Sequence, residues 1–373
     1  MAEKQENKLK LWKQHKRLFT VVGIAKVNDY TVQEETSESG FKYRKIRIGV
    51  QTEEGNTIYC EAMGGYFPNR DENKLYVQSK EDYKQFDIAW EDRFNEEVIK
   101  SINPLSLITI GLEKTDKDKT YYKNFVSWFD ACDYVKQHIK DGMVVRVQGE
   151  LRYSEYNDKL QVRKEIQSIA LSAATPEKYG ATFIQSVLLQ KDAIDKSHVK
   201  EDGELDIIAQ VLDYDREAKA TRPYNTIYKV PFNKDNKDKI TKVLEKFIKV
   251  AKSDVVRVLN IEGAIREGTE ISQIDPKDID PEMRELIDMG IYDEEEIIKK
   301  MVVKGNSISK FYLTRPYIKK DKETAKLTTE MNDDFYKPAD LIYESSAKQT
   351  DSDSSVEVSD DELDDLLSDL DNL

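Results

Sequence analysis

The chain has 373 residues, 39% hydrophobic and 35% charged, with a formal net charge of −14. That length is enough for two or three domains, each with its own core. The sequence has no apolar run of about 18 residues to cross a membrane as a helix and no apolar core of a secretory signal at its start. With only two cysteines, Cys60 and Cys132, there is no disulfide framework, so a soluble protein of the reducing cytoplasm is expected.

The acidity is not spread evenly. Residues 351–373 carry −10, residues 267–300 carry −8, and residues 1–17 carry +4, so the remainder is balanced. A local cationic groove fits this distribution; a uniformly basic surface does not.

In chain order, a basic arm spans 1–17 and is followed by the strand "LFTVVGIAKV". The segments "FKYRKIRIGVQT" and "NTIYCEAM" form a hairpin around "EEGN". A stretch of about 71–122 interrupts the pattern, with a helix expected in "EDRFNEEVIKSI". Next, Cys132, Val135 and Ile139 mark a helix that should stop at Gly142. It leads into "VVRV" at 144–147 and a hairpin turning at Asn157-Asp158. The sequence "VVRV" returns at 255–258, again behind a helix, here with Ile240, Val243, Leu244, Phe247 and Ala251 on its apolar positions.

Two similar domains are therefore expected. They cover 18–172 and 182–325 and are joined by a linker at 173–181. Each has the order of strands, helix and strands of an OB-fold, a small Greek-key barrel. The fold class is mainly β with helices (α+β): two OB-fold-like barrels, with an acidic helical insertion at about 267–302 in the second and a disordered acidic tail over 340–373.

Single-stranded nucleic acid is held by cations for its phosphates and flat rings for its bases. In "FKYRKIRIGV", Ile46, Ile48 and Val50 share one face, which leaves Tyr43, Lys45 and Arg47 on the other. By the same alternation Tyr59 points outward beside them. The hairpin adds Arg152, Tyr153, Tyr156 and Lys159. The second domain contributes Arg216, Arg222 and Tyr224 from its first loop and Tyr312 and Arg315 from its last strand. An ordinary solvated or protein-binding β-face carries the same alternation, so both readings stand at this level.

The tail has its own pattern. Leu363, Leu366, Leu367, Leu370 and Leu373 fall on one stripe of a helix among ten acids. So acidic a segment is marginal as a free helix. Bound, the leucines with Asp364, Asp365 and Asp369 suit an apolar groove with a basic rim.

Residues 17–172 resemble the OB-fold of bacterial single-stranded DNA-binding proteins. The end "ELDDLLSDLDNL" is similar to the Asp/Leu tails of T-even-type phage single-stranded DNA-binding proteins. The bacterial Pro-Phe ending is absent, and two separated cysteines with three scattered histidines cannot build the zinc site of the phage type. The resemblance implies a non-enzymatic protein, without metal or cofactor, that coats single-stranded DNA in replication, recombination or repair. It implies recruitment of partner proteins through the tail and, for a phage protein, a place in the host cytoplasm; self-association is left open.

The competing expectation is a protein–protein adaptor of the replication or transcription machinery. "KEDG" at 200–203 matches a short nucleotidyltransferase core, but it is read as a turn before the strand "ELDIIAQV". No phosphate-binding loop or dinucleotide turn accompanies it.

Overall fold

In a computed structural model of the chain, the described residues are 9–70, 72–157, 159–216, 218–271, 279–291, 293, 304–320 and 324–342. They are mainly β-strand. The chain divides into two compact units, each built from separated segments. The larger comprises His15–Gln185 and Ile261–Tyr317; the smaller comprises Met1–Gln14, Ser186–Asn260 and Ile318–Leu373.

The larger unit begins with β1 (Arg17–Lys26), β2 (Val32–Thr36), β3 (Lys42–Glu53) and β4 (Asn56–Tyr66). The hairpin β5 (Lys74–Gln78) and β6 (Gln85–Ala89), the helix α1 (Glu96–Ser101) and a second hairpin, β7 (Ile108–Lys114) and β8 (Thr120–Phe125), follow. The helix α2 (Trp128–His138), β9 (Val144–Tyr156), β10 (Lys159–Leu171) and β11 (Gly180–Leu189) complete this stretch.

Five strands close into a ring. β1 pairs with β3, β3 with β4, β4 with β10, β10 with β9 and β9 with β1. Only the β4–β10 contact is parallel. This ring, with α2 between its third and fourth strands, is the Greek-key barrel of an OB-fold. Alternation builds it: Ile46, Ile48 and Val50 on β3 and Ile58 and Cys60 on β4 are fully buried. Each large apolar side chain contributes about 1.5–3 kcal/mol by leaving water.

The α2 helix starts where Ser127 Oγ accepts a hydrogen bond from Phe129 N–H at 3.1 Å. It ends at His138, before the expected stop at Gly142, because Ile139 turns into the core in extended backbone. Gly142 serves the turn into β9, with φ of 81°.

The insertion contains more than the expected helix. α1 is capped by Asn95, and Val77, Ile88 and Ile102 form a small core of their own. β7 adds to the barrel by running parallel to β10, with Ile169 opposite Ile110. On the other side of β1, β11 pairs antiparallel over Arg17–Val22.

The smaller unit contains the end of β11, β12 (Ile194–Asp195), the short helix α3 (Val199–Asp202), β13 (Glu204–Asp215), β14 (Ala220–Pro231), α4 (Lys237–Val243) and the start of β15 (Val256–Ile271). α4 runs on into a wider turn, Leu244–Ile248. The rest of β15 lies in the larger unit, paired with β16 (Lys304–Pro316) behind α5 (Pro281–Asp288). The smaller unit then takes β17 (Ile318–Lys320), β18 (Leu327–Thr329) and β19 (Met331–Tyr336).

Within the smaller unit β14 pairs with β13, β13 with β11, and β15 with β19. Asn260 on β15 accepts a hydrogen bond from Ser186 on β11. The order β14–β13–β11–β15–β19, with a helix before β15, repeats the OB plan. The two "VVRV" copies open the fourth strand of each barrel, β9 and β15.

Two expectations change, the start of the second barrel and the place of residues 261–317, while the "KEDG" glycine keeps its expected place in a turn before β13. "GATFIQSVLL" is a strand, the first of the second barrel. Residues 261–317, expected in the second domain, group with the larger unit, where Glu267 on β15 pairs with Lys164 on β10 and Gly268 lies opposite Asn56 on β4. The "KEDG" glycine ends α3 in left-handed backbone, with φ of 64°. Of the acidic insertion, α5 is described; most of its second half lies outside the described residues.

Part of the basic arm is packed. Trp12 is buried with Leu188, Leu212, Val256, Val258, Tyr336 and Leu341. Its backbone N–H donates to the Tyr336 hydroxyl at 3.0 Å, and that hydroxyl donates to the Lys10 carbonyl at 2.6 Å. The Asn260 amide donates to the Gln14 carbonyl at 3.0 Å. Residues 9–14 are thus a strap on the smaller unit.

Candidate nucleic-acid interface

The outer face of the larger barrel brings some of the expected residues together. Arg47 on β3 stands over the Tyr59 ring on β4, 5.1 Å from its centroid. Tyr59 is 50% exposed. Gly49, its direct partner in the ladder, leaves the ring room to lie flat: a Cβ there would come within 3.2 Å of Tyr59 and 3.6 Å of Lys26. Lys26, at the end of β1, is exposed on the other side of this glycine. Neither Arg47 nor Lys26 has a carboxylate partner among the described residues. Met63 continues the exposed face along β4. A ring flanked by two unneutralised cations can stack a base and hold the phosphates beside it.

Tyr43 and Lys45 lie on the same strand face but are engaged. β2 runs alongside β3 and places Glu35 opposite Tyr43. The Tyr43 hydroxyl donates to Glu35 at 2.5 Å, and Lys45 Nζ pairs with the same carboxylate at 2.6 Å. The hydrogen bonds from Lys45 and Tyr43 hold Glu35 below the usual carboxylate range and push the Tyr43 hydroxyl up. Glu34 is likewise lowered by Lys42 and Arg44, and Arg44 stacks on Phe129 of α2 at 4.0 Å. Glu34 and Glu35, on opposite faces of β2, therefore neutralise cations on both faces of β3.

The hairpin residues divide. Tyr156 and Lys159, paired at the tip, are exposed. Arg152 is bound to Glu165 at 2.9 Å and to Glu150 at 3.5 Å. Tyr153, at 4% exposure, faces the core and donates to Gln185 at 3.3 Å, so its ring is closed to a base.

In the smaller unit Arg216 is exposed at the β13–β14 turn. Arg222 pairs with Asp215 at 2.8 Å, and Tyr224, beneath it, is 1% exposed. Tyr224 is an interior side chain, because Tyr224 and Tyr228 alternate inward on β14. Tyr312 and Arg315 belong to the larger unit. Tyr312 is half-buried with Arg266 5.6 Å from its ring, and Arg315 is bonded to Glu262.

Leu363, Asp364, Asp365, Leu366, Leu367, Asp369, Leu370 and Leu373 lie outside the described residues. Among the described residues no group of three or more His, Cys, Asp or Glu side chains could hold a metal ion, and no helix is long and apolar enough to cross a membrane.

No protein-family model matches the sequence, and no curated protein matches it. Among solved structures the chain is similar to the wild-type single-stranded DNA binding protein from Thermus aquaticus. The TM-score is 0.31 and the identity 8%, covering 67% of this chain and 85% of that one. A deletion mutant of the same Thermus protein is matched with a TM-score of 0.30 and 8% identity, over 67% and 86% of the two chains.

Reading the sequence missed Lys26, since the end of β1 meets Gly49 only when the barrel closes. It also missed β2. The alternating "VQEET" was a signal for that strand, and its acids decide which cations on β3 stay free.

Proposed function

We propose that this protein binds single-stranded nucleic acid on the outer face of its larger barrel, without catalysing a reaction. The observation that carries the reading is the half-exposed Tyr59 ring between the unneutralised cations Arg47 and Lys26. Bases stack on the open side of the ring, and phosphates lie against the two cations. Coating of single-stranded DNA is the role this binding serves. The Leu/Asp stripe of the tail recruits partner proteins with an apolar groove and a basic rim.

The deciding experiment is an anisotropy titration of a labelled 30-mer of dT with the full chain and a chain ending at Thr350, at two salt concentrations. Binding that weakens steeply with salt is expected, with the truncated form binding at least as tightly. No binding by either form at low salt overturns the proposal and leaves the protein–protein adaptor. A uridine 30-mer in the same titration reads the preference between DNA and RNA.

A further inference from the structure

The larger barrel carries a second ring-and-cation pair that depends on the insertion. Tyr122, on β8, is 56% exposed. Its ring lies across Gly111 of β7, where a Cβ would meet two of its ring carbons at 2.8 Å. Ladder partners run straight on from that glycine: Gly111 opposite Ala170 on β10, Ala170 opposite Arg146 on β9, and Arg146 opposite Val22 on β1. Directly paired residues share a face of a sheet. The result is a trough floored by Gly111 and Ala170, with an aromatic wall and a cationic wall. Two strand spacings separate Gly111 from Arg146, about 10 Å. Arg146 is exposed and has neither hydrogen bond nor ion pair to any described residue.

The next row on this face is uncharged and hydrogen-bonding on six strands. Asn124, Thr109, Ser168, Gln148, Thr20 and Thr182 follow one another from β8 to β11. Thr20, Gln148, Ser168, Thr182 and Arg146 line a shallow cavity of about 430 Å³. Hydroxyls and amides of this kind meet base edges and sugars without adding charge.

The trough is continuous with the Tyr59 face. On β1 the outward positions run Val22, Ile24, Lys26, from the partner of Arg146 to the neighbour of Gly49. That is four residues, about 13 Å of strand.

We infer that Tyr122 and Arg146 form a second stacking step on the same strand path, so that one single-stranded nucleic acid runs from Tyr59 along β1 to the β7–β8 hairpin. This rests on the proposed function and deepens it. The bound length is set by the insertion, because β8 supplies the far ring.

The test uses the full chain and the variants Tyr122→Ala, Tyr122→Phe and Arg146→Gln with dT oligomers of increasing length. All three substitutions are at exposed side chains, and circular dichroism checks the fold. In the wild type, affinity should rise with length until both steps are spanned. Tyr122→Ala should end that rise early and cost tenfold or more on the longest oligomer, while Tyr122→Phe keeps it. Arg146→Gln should reduce the slope of log K against log salt by about 0.7. Wild-type length profiles and salt slopes in Tyr122→Ala and Arg146→Gln would overturn the second step and leave the Tyr59 face standing. Loss of all binding in the unsubstituted chain would overturn both.

Discussion

Arg47 meets Tyr59 diagonally. In the ladder Tyr59 faces Gly49 and Arg47 faces Glu61, yet the guanidinium stands 5.1 Å from the Tyr59 centroid. The glycine leaves the ring space to lean over, and the cation orders one side of it. Such a contact is worth about 0.5–1 kcal/mol at an exposed site, and the ring beside it stays 50% exposed.

Tyr59→Ala should weaken binding of a dT oligomer by about 1–3 kcal/mol, roughly 5- to 150-fold. Tyr59→Phe should stay within about twofold, because stacking needs the ring and not the hydroxyl. Anisotropy titration reads both, and an unchanged affinity in Tyr59→Ala would remove this residue from the interface.

Glu35 takes up Lys45 and Tyr43, so Glu35→Gln should release a cation onto the face. Tighter binding and a salt slope steeper by about 0.7 are expected, from one more phosphate contact. The same release follows acidification. The Glu35 carboxyl is held below its ordinary range, so the pair persists above the unfolded value and is lost only as pH falls through the lowered folded value. A salt slope equal to that of the unsubstituted chain would show that Lys45 does not reach the strand.

Gly23 lies where β1 passes from β9 to β3. A Cβ there would sit 2.2 Å from the Gln51 carbonyl oxygen, which is backbone and cannot swing away. Gly23→Ala should therefore cost about 1–3 kcal/mol of the larger unit's stability. Urea denaturation measures the loss, and an unchanged midpoint would show that the two strands separate freely at this point.

Trp12 holds the N-terminal strap, and Trp12→Ala should destabilise the smaller unit by about 3–5 kcal/mol. Its partner Tyr336 adds a pH limit. Burial pushes the Tyr336 hydroxyl up to about 12, above about 10 in an unfolded chain. The folded state therefore keeps this proton longer: the contribution is complete below pH about 10 and is lost as pH rises through the folded value. Urea midpoints between pH 9 and 12 should fall in the unsubstituted chain and fall less in Tyr336→Phe. Equal alkaline slopes would detach the hydroxyl from the strap.

The strand faces of the larger barrel were legible in the sequence because alternation has a period of two and the core needs one face apolar. Ile46, Ile48 and Val50 go inside, and Tyr43, Lys45, Arg47 and Tyr59 go outside, as their spacing implies. Tyr153 and Tyr224 were assigned from a hairpin and a loop, not from alternation, and both turn inward: Tyr153 shares the buried face of Val145, Val147 and Leu151, and Tyr224 that of Tyr228 and Val230. Tyr122 and Arg146 were passed over because 24 positions of chain separate them. They meet only through the ladder of β7, β10 and β9.

The sequence by itself determined the class of the protein. Periodicity, the repeated "VVRV" and the turn residues specify two β-barrels with a helix before the fourth strand of each, because these are local demands of backbone geometry and burial. It also confined the negative charge to a few stretches. Tertiary structure alone decided which cations remain free. Lys45 is neutralised by Glu35, ten residues upstream on β2, Arg152 by the strand it pairs with, and Arg222 by Asp215, whereas among the described residues Arg47, Lys26 and Arg146 have no carboxylate within ion-pair distance. Ion pairing acts over a few ångströms in space, and those distances come into being only when the barrel closes.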